Sequence, residues 1–347
     1  MPFHNLVNKR TKHFLDNKIP GKHNSWTGKV RLQANENGIG SPTLKWYNRF
    51  TNEEDLMQLT SAISAIKKTS VENFYISTGR FSFFDDLLRC FCEAEDNIIF
   101  CSPAPGELLE IAAYNGINFQ TIPLTANQQL DMIHMENVAS ENTKIIWISS
   151  PNHYTGNNMQ HDDVETILNN FPGLLVMDEC YINFSKHRSF LPGLNEYPSL
   201  VICQDFNFAW GLAGLEIEMV FASKEIISVL DAMPFGSRIQ KPAMEILLAA
   251  LPKVEEVNAT IKAIVAMRNA LAKELQHLPY IENIFPSDSN FLLVKFRDAE
   301  KIKTILKQHN IAVYDLSKEK FYENCLRISI GSEKEIKALV EALAGYE

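Results

Sequence analysis

The sequence predicts an α/β protein built on a mostly parallel sheet of seven strands, followed by a smaller α+β unit. Short apolar runs alternate with amphipathic helical stretches from about residue 70 to 225, as in repeated βαβ units. Two of these runs, residues 145–148 and 174–177, are apolar on both faces, which is typical of buried parallel strands. After about residue 255 the pattern changes to long helices and a few separate strands.

Seven strands are expected in the first region, with helices between them that include residues 107–115 and 162–170. These strands are Phe74–Thr78, Asn97–Cys101, Phe119–Pro123, Lys144–Ser150, Gly173–Met177, Leu200–Gln204 and Ile217–Ala222. In the second region we expect helices Glu256–Leu278, Ala299–His309 and Glu333–Ala344, with strands Asn290–Phe296 and Cys325–Ile330. The change of pattern predicts a large α/β domain over residues 50–250 and a small α+β domain from residues 1–49 and 251–347.

Composition excludes several classes of function. The 347 residues carry a formal net charge of -9, and 46% of them are hydrophobic. The negative charge argues against nucleic acid or an anionic membrane as the main partner, because both require a basic face. No apolar run approaches the length of a membrane span or a signal peptide. The six cysteines lie mostly inside apolar runs, so we expect buried reduced thiols, no metal site and a cytoplasmic location.

The most informative segment follows an apolar strand at residues 205–216. It reads Asp-Phe-Asn-Phe-Ala-Trp-Gly-Leu-Ala-Gly-Leu-Glu. It resembles the segment Phe-Ser-Lys-Ala-Phe/Trp-Gly-Leu-Ala-Gly-Leu-Arg of histidinol-phosphate aminotransferases, enzymes of the type I pyridoxal-phosphate transferase fold. The cofactor lysine position is Phe208 in this chain, and the position of the phosphate-binding arginine is Glu216. A phenyl ring cannot form a Schiff base, so no catalytic residue is carried over here.

Other segments of the resemblance imply contacts with the ring of pyridoxal phosphate. Residues 178–181 read Asp-Glu-Cys-Tyr and are similar to the family's Asp-Glu-Ala-Tyr, in which the aspartate pairs with the protonated pyridine nitrogen and the tyrosine donates to the ring oxygen. This implies cofactor contacts at Asp178 and Tyr181. His153 stands where the family has an asparagine that also bonds the ring oxygen, and Pro105 stands at the position of a stacking tyrosine.

The phosphate end of the implied cofactor site departs further from the family pattern. Residues 76–82 occupy the place of a glycine-rich turn whose backbone amides cradle phosphate at a helix N-terminus, and only Gly79 remains of its glycines. Arg80 follows directly and is a candidate for binding an anion. Glu216 reverses the charge of the family's arginine, and Phe50 replaces a tyrosine that reaches the phosphate across the dimer interface.

The resemblance also implies a substrate site. Residues 326–331 match a strand whose arginine clamps a substrate carboxylate, which assigns that role to Arg327. Asn35 and Asn290 lie in matching segments and are the other implied substrate contacts, whereas Tyr314 replaces an arginine that helps to hold the substrate phosphate. Because the family builds each site from two chains, a homodimer is expected.

Several functions remain open from the sequence. The first is a non-catalytic relative, a pseudoenzyme that binds another small molecule in the old cleft or acts through a partner protein. The second is an enzyme that holds pyridoxal or pyridoxamine phosphate non-covalently or through another lysine, with Lys186, Lys224 and Lys241 nearest in sequence to the cleft segments. The third is a structural or interaction role unrelated to the cleft.

Overall fold

The computed structural model describes residues 6–16, 47, 53–233, 239–317 and 319–345. These residues form a seven-stranded sheet, a separate four-stranded sheet and the helices that cover both. Within these ranges no helix is both long and apolar enough to cross a membrane. Their eleven α-helices are α1 Lys9–Asp16, α2 Glu53–Lys67, α3 Arg80–Phe91, α4 Gly106–Tyr114, α5 Met132–Val138, α6 His161–Asn170, α7 Lys224–Ala232, α8 Lys241–Ala250, α9 Val254–Leu275, α10 Ala299–Gln308 and α11 Glu333–Ala344.

The large sheet has the strand order β1-β7-β6-β5-β4-β2-β3. The five strands from β6 to β3 pair in parallel, and β7 is antiparallel to both of its neighbours. The bounds are β1 Phe74–Ser77, β2 Asn97–Ser102, β3 Asn118–Pro123, β4 Thr143–Ser149, β5 Leu174–Asp178, β6 Leu200–Asp205 and β7 Glu218–Ala222. The predicted fold class is confirmed, and each of the seven predicted strands is present with its ends shifted by at most one residue.

Both faces of this sheet are covered, which explains the continuous apolar runs. Along β4, Ile146 and Ile148 belong to the core under α2, α6 and α8, whereas Ile145 and Trp147 belong to the core under α3, α4 and α7. Successive side chains of a strand point to opposite faces, so a strand with helices on both sides must be apolar throughout. Trp147 is fully buried and contacts Phe84 of α3 edge to face at 5.2 Å.

One edge of the large sheet collects the polar ends of several strands. The parallel strands β4, β5 and β6 end there at Ser149, Asp178 and Asp205. Because β7 runs the other way, its first residue Glu218 lies at the same edge, opposite Asp205 on one side and Ser77 of β1 on the other. Open α/β sheets bind ligands at the carboxyl ends of their strands, so this edge is where a site is expected.

The second sheet is antiparallel, with the order β10-β11-β9-β8. It packs with α9, α10 and α11 around a core that includes Leu275, Val294 and Leu326. The strands are β8 Ile281–Ile284, β9 Phe291–Phe296, β10 Tyr314–Asp315 and β11 Cys325–Ser329. The sequence did not indicate β8 or β10, which are short and mostly exposed. The predicted domain division near residue 250 falls between α8 and α9 and stays a prediction.

Gly156 lies in the loop after β4, where that loop packs against the start of β9 in the small sheet, and this packing can be tested by mutation. Its φ is +79°, and a Cβ there would lie 2.6 Å from Ser287 Oγ and 3.1 Å from the Phe291 ring. We expect Gly156→Ala to lower the free energy of unfolding by about 1–3 kcal/mol through backbone strain and overlap. Urea unfolding measures this change. Gly106→Ala is the control, because no atom lies within 4 Å of its Cβ position, and equal stability of the two variants would contradict the argument.

Candidate functional site

Asp178 is the centre of the candidate site. It ends β5 and is fully buried, and its Oδ2 lies 2.8 Å from His153 Nε2. The backbone N–H of Cys180 donates to the Oδ1 atom at 3.3 Å. Burial raises the pKa of Asp178, but Arg80 and His153 outweigh it and hold the pKa well below its usual range. The carboxylate is therefore charged at neutral pH.

Arg80 supplies the charge that opposes Asp178. It is the first residue of α3, and its Nε lies 3.2 Å from Asp178 Oδ2 while its Nη2 lies 3.8 Å from Asp205 Oδ2. Only 11% of the Arg80 side chain is exposed. The sequence offered Arg80 as an anion-binding residue of the turn at Gly79, but the structure places its guanidinium against two carboxylates of the protein itself.

Two further acids complete this cluster, and the sequence analysis missed both. Asp205 ends β6, and Glu218 begins β7 beside it. Glu218 is fully buried, and neither of its carboxylate oxygens has a hydrogen-bond partner in the described part of the chain. The available signal was an acid at the end of the mostly apolar strand β6 and another at the start of the apolar strand β7. We call the three acids Asp178, Asp205 and Glu218 the acid cluster, with Arg80 as its arginine.

The acid cluster does not carry three full negative charges. Burial raises the pKa of Asp205 to about 7 even though Arg80 opposes the shift, and burial raises the pKa of Glu218 well above its ordinary value. The acid cluster therefore holds protons near neutral pH, and Asp178 is the acid that stays ionised beside Arg80.

His153 lies between Asp178 and the aromatic residues of the site. Its ring meets Tyr181 edge to face at 5.2 Å, and its Nε2 lies 3.6 Å from Cys180 Sγ. Burial and the nearby Arg80 lower the pKa of His153, so the ring is held neutral. Asp178 and Cys180 approach the same ring nitrogen, which is not the arrangement of a cysteine nucleophile with a histidine base and an orienting acid. His153, Asp178 and Cys180 are also types of metal ligand, but Arg80 already places a cation at Asp178.

Phe208 contacts Tyr181, which the resemblance assigns to the cofactor ring. It stacks on Tyr181 with ring centroids 4.6 Å apart and an interplanar angle of 23°. Tyr181 also meets Phe291 edge to face at 5.4 Å, and Phe208 packs with Ile261 and Val265 of α9 in the same apolar cluster. The side chain at position 208 is therefore part of a hydrophobic junction between the edge of the large sheet and α9.

Arg327 reaches this region from β11. Its Nη1 donates to the backbone carbonyl of His153, and its guanidinium lies 4.4 Å from the centroid of the Tyr314 ring. The rings of Tyr154 and Phe291 are 5.5 and 5.2 Å away. Guanidinium groups are attracted to aromatic faces at such distances, so these rings fix the orientation of Arg327. Arg327, a predicted substrate contact, therefore lies beside His153, a predicted cofactor contact.

Gly79 and Glu216, which the resemblance assigns to the phosphate end of the cofactor site, meet at the N-terminus of α3. Gly79 has a φ of +99°, and a Cβ there would lie 3.2 Å from the backbone oxygen of Glu216 and 3.8 Å from its Cβ. Glu216 is exposed in a left-handed conformation with a φ of +51°. The turn thus has a glycine with a positive φ, and a negative side chain stands beside it.

The remaining predicted contacts are placed less fully. Asn290 is half-buried just before β9, and its backbone carbonyl accepts a hydrogen bond from Ile330 at 2.8 Å. Pro105 precedes the first residue of α4. Asn35 and Phe50 lie outside the described residues. Of the predicted site residues, Asp178, Tyr181, His153 and Arg80 lie together, with Arg327 bonded to the backbone of His153.

The raised pKa of Asp205 predicts how the free energy of unfolding depends on pH. The folded chain keeps a proton on Asp205 between about pH 4 and 7, where the unfolded chain has released it, so this contribution to stability is lost as pH rises through 7. We expect wild type to lose about 2–4 kcal/mol of unfolding free energy relative to Asp205→Asn between pH 5 and 8. Urea unfolding at both pH values measures the difference, with Asp162→Asn, at an exposed position of α6, as control. Parallel pH dependence of wild type and Asp205→Asn would contradict the assignment.

Comparisons with known proteins identify the family of this chain. The model of the family described as aminotransferase class I and II matches residues 31–343. The chain is 36% identical to the histidinol-phosphate aminotransferase of Cytophaga hutchinsonii over 318 residues, which cover 91% of each chain. It is 34% identical to that of Bacteroides thetaiotaomicron, covering 92% of this chain and 91% of the relative.

Solved structures share the fold at lower identity. The putative histidinol-phosphate aminotransferase of Erwinia carotovora atroseptica has a TM-score of 0.79 at 18% identity, covering 90% of this chain and 94% of that one. The histidinol-phosphate aminotransferase of Sinorhizobium meliloti, in complex with pyridoxal-5'-phosphate, has a TM-score of 0.77 at 20% identity and covers 90% of both chains. With the matched family model and the two relatives, this similarity shows that the chain belongs to the aminotransferase class I and II family and resembles its histidinol-phosphate aminotransferases.

Proposed function

We propose that this chain is a non-catalytic relative of histidinol-phosphate aminotransferase, a pseudoenzyme that does not form a Schiff base with pyridoxal phosphate. Its cleft binds a small molecule without covalent attachment, or the protein acts through a partner. One observation carries the proposal. The Arg80 guanidinium lies 3.2 Å from Asp178 Oδ2, so the acid that the resemblance assigns to the cofactor nitrogen already has a buried positive partner.

The other residues of the implied cofactor site support the same conclusion, because they do not fit pyridoxal phosphate. Phe208 offers no amine, and its ring is packed against Tyr181. At the phosphate end, exposed Glu216 stands beside Gly79. A carboxylate 4 Å from a phosphate charge repels it by about 4 kcal/mol at an effective dielectric constant of 20. Both ends of the cofactor would therefore meet unfavourable groups.

The alternative function, an enzyme with a substitute lysine, has weak support from the described lysines. Lys186 and Lys224 are exposed, and Lys241 lies 4.0 Å from Asp55. Burial lowers the pKa of Lys67 to about 8, but its Nζ donates to Gln204 Oε1 at 2.6 Å. Gln204 precedes Asp205 in β6, so the two side chains point to opposite faces of the sheet and Lys67 lies on the face away from Arg80.

The part of the cleft best suited to a ligand is around Arg327. A guanidinium held by aromatic rings is pre-organised for a carboxylate, which it binds through two parallel hydrogen bonds. The proposed ligand is therefore a small carboxylic acid. The six cysteines are all free and buried, which supports the proposal of a reducing, cytoplasmic environment.

The proposal predicts that the purified chain lacks transaminase activity with histidinol phosphate or common amino acids. Loss of a positioned proton-transfer group alone lowers a rate by roughly 10²–10⁴-fold, and loss of the imine lowers it further. Amino-group transfer from each donor to 2-oxoglutarate, with added pyridoxal phosphate, measures the activity. Turnover that persists after removal of contaminating enzymes and exceeds that of a heat-inactivated sample would contradict the proposal.

A spectroscopic experiment shows whether the chain lacks only the cofactor lysine or whether the rest of the cofactor site has changed as well. We expect Phe208→Lys alone to bind pyridoxal phosphate no better than wild type, because Arg80 and Glu216 remain. Phe208→Lys with Glu216→Arg should bind more tightly than the sum of the single changes predicts, since both act on one ligand. Titration of imine absorbance gives the affinities. A tight yellow complex of Phe208→Lys would show that only the lysine is missing.

A homodimer is the proposed assembly, and sedimentation tests it. The neighbouring helices α2 and α8 expose large apolar side chains at Leu56, Met57 and Ile246, which is consistent with a covered surface. We expect a dimer that buries on the order of 2,000 Å² or more, as obligate dimers do. Sedimentation equilibrium at micromolar concentration measures the mass, and Met57→Glu should shift it towards the monomer. A wild-type monomer under these conditions would contradict the proposed assembly.

A further inference from the structure

The acid cluster has the character of a ligand site that already contains a ligand. Asp178 and Asp205 lie within 4 Å of the Arg80 guanidinium, Glu218 is paired opposite Asp205 in the sheet, and all three acids are buried. They come from three adjacent strands, whereas Arg80 comes from the start of a helix in a different part of the chain. Two acids within 4 Å of one cation, with a third buried acid beside them, exceed what a simple structural ion pair requires.

Glu218 is the independent sign that these acids are arranged around a binding position. It is fully buried, and both of its carboxylate oxygens are without a hydrogen-bond partner in the described residues. Buried polar atoms are nearly always paired in folded proteins, and an unpaired one requires an explanation, such as a functional role or a bound ion. Arg80 is the nearby cation that acts on Glu218, and no described side chain donates to it.

We propose that Asp178, Asp205 and Glu218 form a binding site for a planar organic cation, and that the chain fills this site with its own Arg80 guanidinium. Arg80 thereby takes the electrostatic place of a cofactor's ring cation. The statement that Arg80 replaces the charge of a cofactor rests on the proposed function. The site itself rests only on the contacts of Arg80 and on the unpaired oxygens of Glu218.

The planar shape of the cation follows from the two observed approaches. Arg80 Nε lies 3.2 Å from Asp178 Oδ2 and Nη2 lies 3.8 Å from Asp205 Oδ2, so two nitrogens of one flat group face two carboxylates. An ammonium group is a compact point charge with a single nitrogen, so it cannot place separate nitrogens beside two carboxylates in this way. The site therefore favours guanidinium over ammonium, and lysine at position 80 should be a poor substitute.

Chemical rescue tests the proposal on the full-length protein. Arg80→Ala should lower the melting temperature by about 5–10 °C, because a buried carboxylate loses its partner. Adding 10 mM methylguanidinium should restore at least half of this loss through binding to the folded state. Wild type and Arg89→Ala, which removes a partly exposed arginine of the same helix paired with Asp85, should not respond. Arg80→Lys should remain destabilised.

The outcomes separate the proposal from a general effect of the ion. A folded Arg80→Ala that is as stable as wild type, or that methylguanidinium does not stabilise, overturns the proposal. An equal response of Arg89→Ala also overturns it. N-methylpyridinium serves as a second probe, and rescue by it in addition to methylguanidinium supports a site that accepts a cofactor-sized ring cation.

A double variant covers the case in which Arg80→Ala does not fold. Arg80→Ala with Asp178→Asn removes the cation and the ionised acid together, so it should fold and should not respond to methylguanidinium. A double variant as unstable as Arg80→Ala would overturn the proposal. These results do not depend on transaminase activity. If wild type proved to be a transaminase, the proposed function would fail while the rescue of Arg80→Ala could still succeed.

Discussion

The rest of the site depends on the buried ion pair between Arg80 and Asp178. Taking two such charges out of water costs several kcal/mol each, and their attraction offsets this cost only when further polar contacts complete the geometry. The pair has such contacts, because His153 approaches the same carboxylate oxygen and Asp205 lies beside the guanidinium. The protonation of the neighbours follows, since acids next to an already neutralised pair hold their protons when buried.

The topology of the large sheet brings these groups together from distant parts of the chain. The strands β4, β5 and β6 end at one edge, and reversal of β7 places Glu218 at that edge as well. The turn after β1 then starts α3 at the same place, so the first side chain of the helix points at the strand ends. A glycine at position 79 is required because the backbone there has a positive φ and passes close to Glu216.

Much of the fold could be predicted from the sequence, because strands buried on both faces leave long apolar runs and amphipathic helices separate them. The short strands Ile281–Ile284 and Tyr314–Asp315 could not, since pairing with a neighbour rather than composition makes them strands. The site was predicted in part. A resemblance can assign Asp178 and Tyr181 to positions, but it cannot show which side chain meets them, and so the partnership with Arg80 and the roles of Asp205 and Glu218 came from the structure.

The position of Arg80 on the chain has a consequence for how this protein responds to its surroundings. A protein stabilised by a free cofactor gains RT ln(1 + [L]/Kd), so its folded population varies with the supply of that cofactor. A cation attached through the backbone has a fixed effective concentration that dilution cannot lower. Under the proposed function, the cleft should therefore keep its shape equally well in cells rich or poor in pyridoxal phosphate, and the abundance of the protein should not follow the concentration of that cofactor.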